Sequence, residues 1–395
     1  MPFEFLIFGI TLVGVALFHR RALPIAAAGL FAIIAFEWLI TEFPPGPGAA
    51  GLAAHFADEW VILVNLFLLL VGFALLAAHF EESGLPRTLP HYLPDDWTGA
   101  LALLAIVFVL SAFLDNIAGA LIGGAMAHSL FKGRVRVGYL AAIVAASNAG
   151  GSGSVIGDTT TTMMWIHGVP PIEVLHAYIA AAAAFLVFGL QAARSQQRYA
   201  PIIKDAPTAH VIDWPRVLIV LFILASAVAV NVGVNATHPE ISSRFPFIGA
   251  AVAAAITLTA GWRRPDWSIL PGAVKGSIFL LCLVASASLM PVDSLPAPSW
   301  QNAFALGFVS AFFDNIPLTA LALEQGGYDW GVLAYAVGFG GSMLWFGSSA
   351  GVAICNMFPE ARSTGRWLRE GWPIAAAYVA GFLAIMAVLG WRPDG

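Results

Sequence analysis

Long apolar runs, separated by short polar connections, fill most of the sequence. A membrane-spanning helix needs about 20 predominantly apolar residues. The runs of this kind predict ordinary spans at Phe3–Phe18, Ala22–Ile40, Trp60–Phe80, Ile172–Ala193, Val217–Val234, Phe245–Trp262, Ala273–Val292 and Trp372–Trp391. We therefore expect an all-α polytopic membrane protein.

Four further apolar stretches contain polar or glycine-rich interruptions. They are Trp97–Phe131, Val137–His167, Trp300–Gln325 and Gly331–Phe358. The first and third favour two half-helices around a polar tip, so we predict re-entrant hairpins over 97–131 and 300–325. The second and fourth predict broken helices over 137–167 and 331–358, because glycine tolerates the irregular backbone of an unwound segment.

Composition supports a chain that lies within lipid. Hydrophobic residues make up 59% of the chain and charged residues 10%, whereas soluble domains average about a quarter charged. The formal net charge of −5 is small and thinly spread, so we expect a lipid bilayer as partner and no nucleic acid. Cys282 and Cys355 lie in apolar stretches and provide neither a disulfide framework nor a thiolate metal site. We expect no cofactor.

The basic residues indicate which ends of the segments face the cytoplasm, because cytoplasmic loops are enriched in Lys and Arg. Lys132, Arg134 and Arg136 follow the first hairpin and fall on the cytoplasmic face only if that hairpin re-enters. With both hairpins re-entrant, every basic residue except Arg244 and Arg392 lies on one face. Each half of the chain then crosses the membrane five times.

Two segments of the first half recur in the second half. Ser111-Ala-Phe-Leu-Asp-Asn-Ile117 reappears as Ser310-Ala-Phe-Phe-Asp-Asn-Ile316, and Asn148–Asp158 resembles Gly338–Ser348. We predict a first inverted repeat over 1–195, a cytoplasmic linker over 196–214 and a second inverted repeat over 215–395. An odd number of crossings inverts the second copy. Inverted repeats with broken helices indicate a secondary transporter with its site at the repeat interface.

Three aspartates lie within the interrupted segments. Asp115 and Asp314 fall at the predicted hairpin tips, and Asp158 lies in the first broken helix. A carboxylate at the bilayer centre costs roughly 2.5–3.5 kcal/mol on insertion scales, and such residues mark ion or proton pathways. Alternatively, each hairpin aspartate caps the returning half-helix. The two interpretations are compatible, since a capping carboxylate can also bind a proton.

Neutral oxygens surround these carboxylates in the sequence. Na⁺ is a hard cation that prefers oxygen ligands, as Ca²⁺ and Mg²⁺ do. Candidate ligands besides Asp115, Asp158 and Asp314 are Asn116, Ser147, Asn148, Thr159, Thr160, Thr161, Asn315, Ser348 and Ser349. For the threonines the alternative is a hydrogen bond to a carbonyl of the preceding helical turn. We expect no Lys or Arg at the depth of the broken segments.

The repeated segments resemble the NhaD-type sodium/proton antiporters, in the ion-transporter superfamily that includes arsenite permeases and citrate carriers. The matching motifs are Ser147-Asn-Ala-Gly-Gly, Ile156-Gly-Asp-Thr-Thr-Thr-Thr-Met-Met-Trp165, Asp314-Asn-Ile-Pro-Leu-Thr319, Gly340-Gly-Ser342 and Gly347-Ser-Ser-Ala-Gly-Val352. The resemblance covers about Ser111–Gly168 and Val309–Gly381. It implies cation/proton exchange, a two-repeat fold with paired hairpins, Thr319 as a further candidate ligand, and a homodimer in a bacterial inner membrane.

The sequence departs from this family pattern in one place. After the first Asp-Asn pair the family has hydroxyl residues, whereas Ile117-Ala-Gly-Ala120 has none. The departure removes possible ligands from the first hairpin.

Three functional hypotheses follow. The first is a sodium/proton antiporter that exchanges Na⁺ or Li⁺ for H⁺, in which Asp158→Asn and Asp314→Asn each abolish transport. The second is a carrier of citrate or dicarboxylate coupled to Na⁺ or H⁺, although three membrane aspartates would repel a polyanion unless protonated or cation-bound. The third is an intramembrane aspartyl protease, which needs Gly-x-Gly-Asp where this chain has Val155-Ile-Gly-Asp158. We expect a transporter and not an enzyme.

Overall fold

The computed structural model describes residues 2–18, 21–43, 46–204, 211–237 and 244–393. Within those residues every regular element is helical, and β-pairing is limited to an isolated bridge between Phe43 and Gly46. In the described part of the chain, six helices are long and apolar enough to cross a membrane. The all-α prediction is confirmed, and the chain is a multi-pass membrane protein.

The helices are numbered here in chain order. They are α1 (Phe3–Leu17), α2 (Ala22–Leu39), α3 (Gly48–Glu82), α4 (Leu85–Thr88), α5 (Trp97–Ser111), α6 (Asn116–Leu130), α7 (Val137–Ser152), α8 (Thr159–Ile166), α9 (Pro171–Leu175), α10 (Ala177–Tyr199), α11 (Trp214–Thr237), α12 (Phe247–Thr259), α13 (Leu270–Ser288), α14 (Trp300–Ser310), α15 (Asn315–Gln325), α16 (Trp330–Gly340), α17 (Ser349–Met357) and α18 (Thr364–Leu389).

Two of the predicted spans form helices shorter than the roughly 20 residues that a membrane span needs. Helix α1 has 15 residues and α12 has 13. At 1.5 Å per residue, α12 extends only about 20 Å, less than the roughly 30 Å hydrocarbon core. Pro246 stands at its N-cap and the hydroxyl of Thr259 bonds back to the carbonyl of Ala255 in its last turn. The apolar run Phe245–Trp262 therefore extends beyond both ends of the helix.

Helix α3 is longer than the apolar run that predicted it. The run begins at Trp60, whereas the helix begins at Gly48 and has 35 residues. Asp58 and Glu59 end the apolar run on the N-terminal side, but they do not interrupt helical hydrogen bonding. Two adjacent charged residues end an apolar run, but they do not end a helix. A helix end needs a capping residue or a helix breaker.

The predicted linker also begins inside a helix. Helix α10 continues to Tyr199, so the first residues of 196–214 are helical, and residues 205–210 lie outside the described part of the chain. Gln196 is buried at this helix end. Its Nε2 donates to the carbonyl of Arg134 at 2.9 Å, and its Oε1 accepts from the backbone N–H of Arg136 at 2.8 Å. These bonds fix the segment that precedes α7 against α10.

The contacts divide the chain into two compact units. The first unit comprises Met1–His79, Pro215–Pro296 and Ala320–Gln325, and the second comprises Phe80–Trp214, Ala297–Thr319 and Gly326–Gly395. Each unit takes segments from both halves of the sequence. The boundaries of the units therefore do not coincide with those of the predicted repeats at 1–195 and 215–395.

Within the first unit, helix–helix packing relies on small residues and a few polar bonds. Helix α2 packs against α1 and α13, and a Cβ on Gly29 would lie 2.2 Å from the hydroxyl oxygen of Thr11. The side chains of His55 and Ser288 are hydrogen-bonded at 3.0 Å, which links α3 to α13. Small residues at membrane-helix interfaces allow such close approach.

The second unit is organised around two almost completely buried helices. Every residue of α16 is buried, as is every residue of α7 except Gly138. Helix α7 contacts α5, α6, α10, α16 and α18. Because almost every residue of these two helices is buried, other helices and not lipid surround them. The central position of α7 and α16 leaves polar groups at their ends in a protein environment and not in lipid.

Close backbone contact fixes the hairpins against these two helices. A Cβ on Gly150 of α7 would lie 2.0 Å from the carbonyl oxygen of Phe108 in α5. The corresponding atom on Gly340 of α16 would lie 2.3 Å from the carbonyl oxygen of Gly307 in α14. Real Cβ atoms do not approach an oxygen this closely, so only glycine fits at either position.

Gly150→Ala is expected to lower the free energy of unfolding by about 3 kcal/mol, because the methyl group must displace backbone and not a side chain. The matched control is Gly276→Ala in α13, where a Cβ meets nothing within 4 Å and the higher helix propensity of alanine is expected to raise the free energy of unfolding by about 0.5–1 kcal/mol. Thermal or denaturant unfolding in detergent micelles measures both. Equal stability of the two variants would contradict the close contact at Phe108.

Candidate functional site

The two broken helices unwind at equivalent places in the second unit. The first break lies between the end of α7 at Ser152 and the start of α8 at Thr159, and the second between Gly340 and Ser349. Asp158 caps α8 by accepting the backbone N–H of Thr160 at 3.2 Å. Ser348 caps α17 by accepting the N–H of Gly351 at 3.2 Å. Both caps lie at helix N-termini, where the helix dipole favours negative charge.

The hairpin tips place an asparagine at the start of each returning helix. Asn116 is the first residue of α6, and Asn315 is the first residue of α15. Asp314 Oδ1 accepts the N–H of Ile316 at 3.2 Å, so the capping interpretation holds for this aspartate. Asp115 occupies the N-cap of α6 without a side-chain capping bond. The backbone of Asn116 and Ile117 nevertheless interacts with the Asp115 carboxylate, so both hairpin aspartates lie at the start of a returning helix.

Both hairpin asparagines converge on one carboxylate. Asp158 Oδ2 accepts from Asn116 Nδ2 at 3.2 Å and from Asn315 Nδ2 at 3.3 Å. Asp158 is only 2% exposed, and both asparagines are buried. Charge-assisted hydrogen bonds of this kind are stronger than neutral ones. The first broken helix and the two hairpin tips thus meet at a single buried oxygen.

Asn148 extends this cluster to the second broken segment. Its Oδ1 accepts from Asn116 Nδ2 at 3.2 Å, and its Nδ2 donates to the hydroxyls of Ser342 at 2.9 Å and Ser348 at 3.2 Å. All three partners are buried. Ser342 is absent from the candidate ligands predicted from the sequence, although the Gly340-Gly-Ser342 motif contains it. The motif was the available signal.

Ser147 holds backbone and does not face Asp158. Its hydroxyl donates to the carbonyl of Asn116 and is bonded to the hydroxyl of Ser111 at 2.7 Å. Ser111 was also missed by sequence reasoning, although it begins the repeated hairpin motif. These two bonds hold the backbone of Asn116 in place. Both serines therefore position that asparagine and do not contact Asp158 themselves.

The threonines divide into two groups. Thr161 donates to the carbonyls of Ser154 and Asp158 at 2.6 and 2.9 Å, and Thr319 donates to the carbonyl of Asn315 at 3.0 Å. These hydroxyls hold local backbone, as the alternative interpretation expected. Thr160 differs, because its buried hydroxyl oxygen has no hydrogen-bond partner among the described residues. Thr159 is half-buried in the first turn of α8.

Ser349 connects the remaining hairpin aspartate to the second broken helix. Its hydroxyl donates to Asp314 Oδ2 at 3.0 Å, so Asp314 contacts α17 while Asp158 contacts both hairpins. Asp115 and Asp314 are half-buried, and both interact electrostatically with Asp158. Three carboxylates this close repel one another when ionised. The arrangement favours a proton or a cation at the cluster.

No cluster of three or more His, Cys, Asp or Glu side chains that could hold a metal ion occurs in the described ranges. The hydrogen-bonded cluster itself consists of one buried carboxylate with amide and hydroxyl groups. An ion held there would be coordinated mainly by neutral oxygens.

Fold and site together define a multi-pass membrane protein with a buried polar cluster between broken helices. No protein-family model matches the chain. It is 28% identical over 324 residues to sodium/proton antiporter 1 of Arabidopsis thaliana, covering 72% of this chain and 54% of that protein. It is 26% identical over 321 residues to sodium/proton antiporter 2 of the same plant, covering 71% and 74%.

A third similar protein is bacterial. The chain is 27% identical over 301 residues to the Na⁺/H⁺ antiporter NhaD of Vibrio cholerae, covering 63% of this chain and 61% of that protein. The chain thus spans about half the length of the first Arabidopsis relative. The predicted resemblance to NhaD-type sodium/proton antiporters is confirmed by these matches.

Proposed function

We propose that this chain is a secondary transporter that exchanges Na⁺ or Li⁺ for H⁺ across a membrane. The observation that carries the proposal is the meeting of Asn116 and Asn315 at the buried carboxylate of Asp158. An isolated carboxylate in this environment is unstable without a counter-charge or a proton. The three similar proteins are named as sodium/proton antiporters, which supports the same exchange here.

Competition for Asp158 is the proposed mechanism. Burial in a low-dielectric environment favours the protonated form of a carboxyl group, and a bound cation favours the carboxylate. A proton and Na⁺ therefore exclude each other at one oxygen pair. Release of the proton towards one side of the membrane and of Na⁺ towards the other makes the exchange an antiport. Asp115 and Asp314 add negative charge that attracts the cation.

Neutral ligands are proposed to come from the groups that surround Asp158. In the structure the amide nitrogens of Asn116 and Asn315 face the carboxylate, an arrangement suited to the ion-free site. Rotation of each amide about its last bond presents Oδ1 instead, which gives Na⁺ two oxygens. The unpartnered hydroxyl of Thr160 is a further ligand.

The other candidate residues fall into ligand and positioning roles. Asn148 and Ser348 remain proposed ligands because they are hydrogen-bonded within the cluster. Ser349 remains one because it bonds Asp314, and Thr159 because it follows Asp158 in the first turn of α8. Ser147, Thr161 and Thr319 are assigned a positioning role, since their hydroxyls already bond backbone carbonyls.

Access from both sides is proposed to depend on two inverted repeats with re-entrant hairpins. Equivalent contacts support this proposal. Ser111 bonds to Ser147 of α7, and Ser310 bonds to the carbonyl of Val337 at the equivalent position of α16. The repeats differ at the site, since Ser348 stands where the first repeat has Asp158. The proposed exchange therefore uses one central carboxylate.

The assembly and the membrane are part of the same proposal. We infer a homodimer in a bacterial inner membrane from the motif resemblance and from similarity to the Vibrio cholerae protein. The Arabidopsis relatives belong to a plant cell, so the identity of the membrane depends on the source organism. The organic-anion alternative is not favoured, because the similar proteins are named as cation/proton antiporters.

Everted membrane vesicles with an imposed pH gradient test the exchange. We expect Na⁺ or Li⁺ to dissipate the gradient without any organic acid, with citrate and K⁺ tested in parallel. The apparent KM for Na⁺ is expected to fall as pH rises, because fewer protons compete for the carboxylate. Dissipation that requires citrate would reverse the ranking of the two transport hypotheses.

A further inference from the structure

A basic cavity of about 570 Å³ is lined by residues of the second unit. One wall is a face of α10, where Leu186, Leu190, Arg194 and Arg198 follow one another at intervals of four residues. Residues four apart lie on the same helix face. Over about 18 Å of helix, this wall changes from apolar at one end to strongly basic at the other.

The apolar end faces outward. The side chains of Leu186 and Val187 are 60% and 40% exposed, although they belong to a helix long and apolar enough to span a membrane. Exposed leucine and valine on a spanning helix contact lipid acyl chains. The cavity therefore opens where hydrocarbon reaches the protein.

Three arginines line the basic end. Arg136 is held in place by the hydroxyl of Ser195 at 2.8 Å and by Glu370 at 3.4 Å. Arg194 lies over the ring of Trp97, with its guanidinium carbon 4.7 Å from the ring centroid. Arg198 forms no ion pair with any described residue. One carboxylate against three guanidinium groups leaves net positive charge around the opening.

We propose that this cavity binds an anionic phospholipid, with its phosphate between Arg194 and Arg198 and an acyl chain along Leu186 and Leu190. A guanidinium group matches phosphate geometry with paired donors. The basic-residue distribution places this end of α10 on the cytoplasmic face. Basic pockets between membrane helices on that face bind acidic lipid headgroups, and each Lys or Arg near the surface contributes to the attraction.

The location gives the bound lipid a structural consequence. Arg136 immediately precedes α7, and its partner Glu370 belongs to α18. Glu370 also accepts the N–H of Gly138 in the first turn of α7. A headgroup that neutralises the arginines would therefore change the electrostatic interactions that join α7, α10 and α18.

The test measures lipids retained by the purified full-length chain. The protein is reconstituted in nanodiscs of equal phosphatidylglycerol and phosphatidylcholine, released into mild detergent, and analysed by native mass spectrometry. We expect the wild type to retain phosphatidylglycerol selectively. The double variant Arg194→Gln/Arg198→Gln is expected to bind it about thirtyfold more weakly, because two charges near the headgroup are lost. Both positions are exposed, so the variant is expected to fold.

Two controls make the result specific. Arg87→Gln removes an exposed arginine outside the cavity and is expected to retain lipid as the wild type does. Arg194→Lys/Arg198→Lys keeps the charge and is expected to retain most of the binding. Equal retention by the glutamine variant and the wild type would overturn the proposal, as would equal loss in the lysine and glutamine variants.

A free phosphate could satisfy the same arginines, and a competition arm separates the two ligands. Inorganic phosphate at millimolar concentration is expected to displace little phosphatidylglycerol, because it lacks the acyl contact with Leu186 and Leu190. Complete displacement at that concentration would assign the cavity to free phosphate and overturn the lipid assignment.

Discussion

Asp158→Asn is expected to reduce Na⁺-driven proton exchange at least about 100-fold while the protein still inserts and folds. Asparagine caps a helix as well as aspartate does, so the bond to the N–H of Thr160 is preserved. What disappears is the charge that binds the proton or the cation, together with the Oδ2 atom that accepts from the Asn116 and Asn315 amides. A charged interaction of about 3 kcal/mol corresponds to roughly that factor. Initial rates of gradient dissipation in everted vesicles measure the loss.

The matched control for this variant is Asp96→Asn. Asp96 also caps a helix, α5, by accepting from Thr98, and hydrogen bonds from the Thr98 side chain and backbone lower the pKa of Asp96. It is exposed and lies outside the polar cluster. Exchange at the wild-type rate is expected for Asp96→Asn. Wild-type exchange in Asp158→Asn as well would remove Asp158 from the mechanism.

Asn116→Ala and Asn315→Ala are each expected to raise the apparent KM for Na⁺ at least about tenfold. Each change removes one proposed Oδ1 ligand of Na⁺, and a polar interaction with a charged group contributes about 1.5–3 kcal/mol. Effects of similar size are expected because the two bonds to Oδ2 have nearly the same length, 3.2 and 3.3 Å. Na⁺ titrations in the vesicle assay measure the change.

Ser310→Ala provides the control for the asparagine variants. Ser310 is buried in the second hairpin, but its hydroxyl bonds to the carbonyl of Val337 and not to the cluster. The KM for Na⁺ should stay within about twofold of wild type, since this hydrogen bond is neutral and remote from the ion. If only one asparagine variant lost affinity, the convergence of both hairpins on Asp158 would not be part of ion binding.

Helix positions were predictable where hydropathy and breakers coincide. The Asp-Asn motifs and the glycine-rich segments located the hairpin tips and the helix breaks, because buried carboxylates are rare within membrane helices and a run of glycines and serines tolerates unwound backbone. The start of α3 at Gly48 was not predictable from hydropathy, since Asp58 and Glu59 change polarity without ending a helix. The shortness of α12 was not predictable either, because the apolar run Phe245–Trp262 extends beyond both ends of the helix.

The site was predictable in its residues but not in its connections. The sequence identifies Asp158, Asn116 and Asn315 as polar residues in broken segments, yet nothing in their spacing states that both amides reach the same oxygen. The role of Thr161 depends on which backbone carbonyls lie within hydrogen-bond distance of its hydroxyl. The conformation of the unwound segment brings the carbonyls of Ser154 and Asp158 there. Ser342 becomes a partner of Asn148 only through packing within the second unit.

The division into compact units likewise depends on contacts distant in sequence. Repeats are read from similarity along the chain, and they predict boundaries at 195 and 215. Contacts instead group the first hairpin, the second hairpin as far as Thr319 and both broken helices in the second unit. Sequence similarity identifies equivalent segments, whereas packing decides which segments associate.

Proton release on Na⁺ addition to the purified protein tests the central claim most directly. A pH indicator in weakly buffered detergent solution reports protons displaced as Na⁺ binds. Wild type is expected to release protons in proportion to bound Na⁺, with Asp158→Asn releasing few or none and Asp96→Asn matching wild type. Release of as many protons by Asp158→Asn as by the wild type would contradict competition at this carboxylate.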